Sequence, residues 1–247
     1  MTQKPVRVGM LVPSSNTVLE PYTSAMFSAL GGAASVHYAR FRVVEISMSS
    51  ASRGQFDLAP ILEAAERLAE TEPDLIVWNG TSASWLGLET DHALCAAITE
   101  RTGVPATSTS LAFDALFRGI GVVRIGVVTP YLPEIQIRIV ENFAMRGITV
   151  VAEAHLSDKG NHSFAGYGPE VVAGLVRDVA RAGPEAIAII CTNFRGAGVA
   201  DALEAELSVP VFDSVSVTAA YAMQRTGLSP SAVQGWGSVF QRAADFV

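Results

Sequence analysis

Apolar runs that end in small polar residues recur along this chain and alternate with amphipathic stretches. The first, Arg7-Val-Gly-Met-Leu-Val-Pro13, has the continuous apolar character of a parallel strand covered on both faces, and it breaks into Ser14-Ser15-Asn16-Thr17. That loop is placed to cap a helix predicted from about Val18 to Leu30. A second strand is predicted over Ser35–Ile46 and a Ser-rich loop over Ser47–Gly54. An amphipathic helix follows over Leu58–Glu70, with apolar residues at Leu58, Ile61, Leu62, Ala65 and Leu68. The strand Leu75–Trp78 ends at Asn79-Gly80-Thr81-Ser82. A helix through His92–Thr102 stops at Gly103, a short strand opens at Val104-Pro105 and closes at Ser108-Thr109-Ser110, and a helix covers Leu111–Phe117.

From Arg124 the pattern restarts. Arg124-Ile-Gly-Val-Val-Thr-Pro130 repeats the arginine, glycine and proline of the first strand in identical spacing, with Tyr131 where Ser14 stood. The elements predicted next are a helix over Glu134–Met145, a strand over Ile148–Ala154, a loop over Ser157–Gly168 and a helix through Leu175–Ala182. A strand over Ile187–Ile190 and a helix near Val199–Leu207 complete the order. Pro73-Asp-Leu-Ile-Val-Trp-Asn-Gly80-Thr-Ser and Pro184-Glu-Ala-Ile-Ala-Ile-Ile-Cys191-Thr-Asn match from the proline onward, which makes Gly80 and Cys191 counterparts. Val209-Pro210 likewise answers Val104-Pro105.

Strand–loop–helix units repeated in one order imply duplication of a whole lobe, and strands alternating with helices imply parallel sheets covered on both faces. The expected fold class is therefore α/β: two pseudo-symmetric lobes, each a parallel, flavodoxin-like sheet flanked by helices, with the active site in the cleft between them. Residues 1–117 are expected to form the first lobe, with 217–247 packing back on it, and 118–216 the second.

Composition narrows the function. The 247 residues are 49% hydrophobic and 17% charged, enough to bury a large core and too apolar for disorder. A formal net charge of −7 without a basic cluster argues against nucleic acid. No apolar run reaches membrane-span length and the start lacks a signal-peptide core, so a cytoplasmic protein with no membrane partner is expected. Two cysteines, Cys95 and Cys191, make no disulfide framework, and four scattered histidines have no metal-ligand spacing. Nucleotide-binding glycine motifs are missing too. The expected chemistry needs no metal and no cofactor. The apolar composition allows a homo-oligomer.

In open parallel sheets ligands bind beyond the carboxyl ends of the strands. Those ends carry Ser14–Thr17, Gly80–Ser84, Ser108–Ser110, Tyr131, Cys191–Asn193 and Ser214–Ser216, which are small, hydroxylic or amide residues with one thiol and no fixed charge. Such a set, beside helix N-termini, suits a small carboxylic acid held by hydrogen bonds.

Gly9-Met-Leu-Val-Pro-Ser-Ser-Asn-Thr17, Tyr131 after a Thr-Pro strand end, and a second-half strand ending in cysteine resemble the aspartate/glutamate racemase superfamily. The resemblance is to its maleate cis-trans isomerase and arylmalonate decarboxylase branch, over essentially the whole chain. It implies a cofactor-free enzyme with two α/β lobes and a catalytic thiol from each, on opposite faces of the substrate. Maleate isomerases are similar at Asn16, Tyr131, Asn161 and Cys191, but their first-lobe cysteine falls at Gly80. Arylmalonate decarboxylases share that glycine. Gly80-Thr81-Ser82 resembles their Gly-Thr-Ser, and Gly235-Trp-Gly-Ser-Val-Phe240 resembles their C-terminus. The resemblance implies Cys191 as the catalytic residue, and Asn16, Gly80, Thr81, Ser82, Tyr131, Asn161 and Thr192 around the substrate.

Each of these residues has a plainer role to set against it. Cys191 is either a buried inert thiol or an exposed one whose thiolate helix N-termini stabilise, while Cys95 reads as helix packing. Gly80 serves close approach or a positive φ. Thr81, Ser82 and Asn16 suit helix capping, Tyr131 core packing, and Asn161 a solvated turn beside His162. Arg53 and Arg195 are surface residues or contacts for a second carboxylate. Three functions follow: decarboxylation of a malonate-type acid through an enediolate protonated on one face by Cys191, maleate-type isomerisation, or non-catalytic carboxylate binding.

Overall fold

The two apolar runs that begin with arginine become the inner strands of two sheets. A computed structural model describes residues 4–49 and 57–247. In the first sheet β1 (Val6–Pro13) lies between β2 (Ala34–Phe41) and β3 (Leu75–Trp78), with β4 (Ala106–Ser108) beyond β3. In the second, β5 (Arg124–Thr129) lies between β6 (Thr149–His155) and β7 (Ala186–Ile189), with β8 (Val211–Asp213) beyond β7. All pairings are parallel and both sheets have the order 2-1-3-4. The two-lobed α/β architecture expected from the repeat is present.

The repeated prolines and acids have a physical reason. Asp74, after Pro73, accepts the Arg7 N–H at 2.8 Å and its own N–H donates to the Arg7 carbonyl at 2.8 Å. Glu185, after Pro184, accepts from Val123 and Arg124 N–H at 2.8 and 3.1 Å and donates to the Arg124 carbonyl at 2.8 Å. Each acid thus sets the register of the third strand of its lobe against the first. Backbone groups otherwise left unpaired at the strand start are satisfied by the same residue.

Parallel neighbours require crossover segments, supplied by α1 (Leu19–Ser28), α2 (Leu58–Ala69), α3 (Ala83–Leu86) and α4 (Leu88–Thr102) in the first half. The second uses α6 (Pro133–Met145), α7 (Pro169–Ala180) and α8 (Ala197–Leu207). Between the halves, α5 (Thr109–Ile120) leads from β4 to β5, and α9 (Ser214–Arg225) leaves β8 to pack against α5 and α1. Short 3-10 turns between Pro230 and Asp245 then pack on α9 and α5. No helix among the described residues is long and apolar enough to cross a membrane.

Boundaries differ from expectation in three informative places. The second strand ends at Phe41, not Ile46, because residues 42–48 leave the sheet and cross to the 157–161 segment. Ile46 N–H donates to Lys159 O at 2.8 Å, Asn161 N–H donates to Val44 O at 3.1 Å, and Glu45 bridges Gly160 antiparallel. The helix expected from Leu111 starts at Thr109, since Ser108 Oγ caps it by accepting from Leu111 N at 3.1 Å. The 157–168 loop contains a 3-10 turn, Ser163–Gly166, whose Phe164 is fully buried. Residues 50–54 of the expected Ser-rich loop, with Arg53, lie outside the described residues.

Candidate active site

The carboxyl ends of β1, β3, β5 and β7 converge on one cavity. The first lobe contributes Pro13, Trp78, Gly80, Thr81, Ser82 and Trp85, and the crossing segment contributes Val43 and Ile46. Tyr131, Asn161, Cys191 and Thr192 come from the second lobe. Of the eight residues singled out from sequence, the fold brings seven to this wall. Among the described residues, no lining side chain carries a fixed charge. A water-sized sphere has only about 20 Å³ in which to move, room for roughly one water.

A hydrogen bond crosses the cavity. Thr81 Oγ1 and Tyr131 Oη share a bond of 2.8 Å, and the Tyr131 hydroxyl lies beside the Cys191 sulfur. Tyr131 is held edge-on between Trp85 and Phe164, with ring centroids at 5.2 and 5.5 Å. Its burial, followed by the nearness of Cys191, raises its pKa well above the ordinary phenol value. Thr81 and Ser82 make no side-chain cap; Thr81 spends its hydroxyl on Tyr131.

Cys191 is 2% exposed. Burial pushes its thiol up to about 12, against the opposing pull of the Tyr131 hydroxyl and of the Asn193 N–H, which donates to Sγ at 3.4 Å. The buried carboxyl of Asp213 adds to the upward shift. The sequence alternative of an exposed, stabilised thiolate is thus not what the fold builds: at neutral pH Cys191 is a thiol holding its proton. Cys95, also buried and pushed up to about 12, lies in α4 away from this wall.

Asn16 stands behind the wall. Its Oδ1 caps α1 by accepting from Val18 and Leu19 N–H at 3.0 and 2.9 Å, and its Nδ2 donates to Thr192 Oγ1 at 3.1 Å. Thr192 in turn donates to Asn79 O at 3.1 Å. Asn161 is 5% exposed, not a solvated turn, and its Nδ2 donates to Ser15 Oγ at 2.8 Å. His162 is exposed, and Arg195 donates to Ala165 O at 2.9 Å; neither reaches the cavity.

Sequence reasoning missed Trp78, and placed Asn193 at a strand end without giving it a role. Asn193 Oδ1 accepts from Thr17 and Val18 N–H at 2.9 and 3.2 Å while its Nδ2 donates to Asn161 O at 2.5 Å, tying the first-lobe loop to the second. Its place in Cys191-Thr-Asn was the available signal. Trp78 decides why position 80 is glycine: a Cβ there would lie 1.8 Å from Cζ2 and 2.1 Å from Cε2 of the indole. Close approach, and not a positive φ, excludes a side chain.

The family model for arylmalonate decarboxylase matches residues 8–240. This chain belongs to that family. It lies in the Asp/Glu racemase-like branch that also holds the maleate isomerases. A maleate isomerase of Nocardia farcinica is 25% identical over 248 residues, 96% of either chain. An arylmalonate decarboxylase of Bordetella bronchiseptica is 25% identical over 186 residues, 74% of this chain and 78% of that one. A solved mutant of Nocardia farcinica maleate cis-trans isomerase, carrying a covalently bound succinylcysteine intermediate, superposes with a TM-score of 0.87 at 21% identity, covering 96% of this chain and 98% of that one. Members thus include decarboxylases and isomerases, and equal identity to both does not choose between them.

Proposed function

We propose that this enzyme decarboxylates malonate-type acids without a cofactor, using Cys191 to protonate one face of the intermediate. The observation that carries the reading is the placement of the cavity's thiol: Cys191 is buried on one wall beside Tyr131, while the counterpart position at Gly80 is filled by the Trp78 ring. Racemisation by two bases needs a second proton-transfer group there, and covalent isomerisation needs a nucleophile there.

In the proposed reaction a malonate dianion loses one carboxylate as CO2, and the electron pair of the broken C–C bond passes to the α-carbon and the remaining carboxylate as an enediolate. Thr81, Ser82 and Tyr131 hydroxyls donate to its oxygens, and donors of this kind are each worth about 2.7–4 kcal/mol in the transition state. The Cys191 S–H proton goes to the α-carbon, giving a monocarboxylate and a thiolate that regains its proton from water. Asn16, Asn161 and Thr192 shape the site around the acid. Residues 1–117 with 217–247, and 118–216, serve as the two lobes, a division supported by α9 packing on α1 and α5.

One observation favours maleate-type isomerisation: Asn161, shared with the isomerase pattern, is buried on the cavity wall. That reaction requires Cys191 as a thiolate. The two readings part in their pH dependence. A thiol held near 12 leaves decarboxylation of a disubstituted malonate level through the range around pH 8.5 where an ordinary cysteine titrates. Fumarate formation from maleate that rises through that range, with no CO2 released from malonates, would replace the decarboxylase reading with the isomerase one.

A further inference from the structure

We propose that the Trp78 indole N–H is a ligand-binding group of this cleft, donating to a carboxylate oxygen of the bound acid from the lobe that has no thiol. The inference rests on the reading of the cleft as a carboxylate site and adds a residue to it. Trp78 is 1% exposed and lines the cavity, and its Nε1 has no hydrogen-bond partner among the described residues. Buried indole N–H groups ordinarily find an acceptor, and an unpaired one is costly. The part of the ring that overlies Gly80, itself on the cavity wall, includes Cε2, the atom bonded to Nε1. Phe41 packs against the ring at 5.0 Å between centroids and restrains it.

The chemistry of the group selects its partner. An indole nitrogen donates and never accepts, so the missing partner is an acceptor. Thr81 and Tyr131 already bond one another, and no cation lines the cavity among the described residues. A carboxylate entering the site finds in Trp78 a donor that nothing else has claimed. The other unpaired buried oxygens, such as Asp91 Oδ2 and Asp213 Oδ2, do not line this cavity. Glycine at 80 then has a function of its own: it leaves space for the indole to reach the ligand from two residues back.

The test uses the full chain with its three tryptophans labelled at the indole nitrogen, each signal assigned by loss in Trp78→Phe, Trp85→Phe or Trp236→Phe. On titration with phenylmalonate or maleate the Trp78 N–H signal of the wild-type protein moves downfield. Trp78→Phe weakens binding of the same acid roughly 10- to 100-fold, the span of a hydrogen bond to a charged group. A Trp78 signal that stays in place while backbone signals of Thr81 and Tyr131 respond overturns the role of the indole and leaves the carboxylate site standing. So does undiminished affinity in Trp78→Phe. If neither Trp78 nor the Thr81 and Tyr131 signals respond to either acid, the carboxylate reading fails and this inference with it.

Discussion

The ends of β3 and β7 have the same backbone setting and opposite chemistry. Trp78 pairs with Leu11 and Ser108 as Ile189 pairs with Val128 and Asp213. Two residues on, Gly80 carries no side chain and Cys191 carries the thiol. In the first lobe the volume over that position is filled from behind by an indole; in the second, Ile189 is wholly buried in the core and the position fills itself. The strand beside each also differs: neutral Ser108 caps α5 where Asp213, accepting from Val215 and Ser216 N–H at 2.7 and 3.4 Å, caps α9. A duplicated scaffold has thus kept its hydrogen-bond frame while the thiol at the cavity wall stands on one side only. The proposed one-sided protonation follows from that asymmetry.

The comparison breaks most sharply at the thiol. Cys191→Ala is expected to lower kcat for a disubstituted malonate about 10²- to 10⁴-fold, the range of a lost general acid, with little change in thermal midpoint. Tyr131→Phe, which leaves the ring between Trp85 and Phe164, is expected to cost about 10²- to 10³-fold in kcat, as for removal of one oxyanion donor. Steady-state kinetics checks both.

Gly80→Ala tests the first-lobe arrangement. A methyl at 1.8 Å from the indole must displace it, and overpacking of this kind costs about 1–3 kcal/mol in urea unfolding. In a Trp78→Ile background, which copies the second lobe, the same alanine is expected to cost much less. Equal costs in the two backgrounds would show that Trp78 does not hold the space.

The smallest effect concerns the caps. Burial raises the Asp213 carboxyl to about 7, above its ordinary 3.8, so the folded state holds an extra proton between those values. Its contribution to stability is fully present below about pH 4 and is lost as the pH rises through about 7. Asp213→Asn keeps a capping oxygen and removes the buried charge. It should gain on the order of 1 kcal/mol over wild type above pH 7, with the difference shrinking toward pH 4. Unfolding curves at pH 4.5 and 8 measure it.

Much of this was legible beforehand because it is local. The repeated arginine, glycine and proline place β1 and β5, and Pro-acid dipeptides place β3 and β7, since the acid pairs with the first strand of its lobe. Strand-end position then found Gly80, Thr81, Ser82, Tyr131 and Cys191. What local pattern could not carry were contacts between distant segments. Val43, Ile46 and Asn161 reach the cavity through a clasp joining residues 42–48 to 157–161, so an apparent strand ends early and an apparent surface turn is buried. Trp78 was hidden for another reason: an apolar residue closing a buried strand reads as core, and nothing in the alternation shows its ring turned over the glycine. The protonation state of Cys191 was equally out of reach, because burial sets it and burial is a property of the whole fold.

The central claim is one-sided proton delivery by a neutral Cys191 thiol, and the stereochemistry of decarboxylation tests it most directly. Decarboxylation of 2-methyl-2-phenylmalonate in D2O should give 2-phenylpropionate carrying one α-deuteron and in a single enantiomer, with the reaction lost in Cys191→Ala. Racemic product from the wild-type enzyme, or CO2 release undiminished in Cys191→Ala, would contradict it.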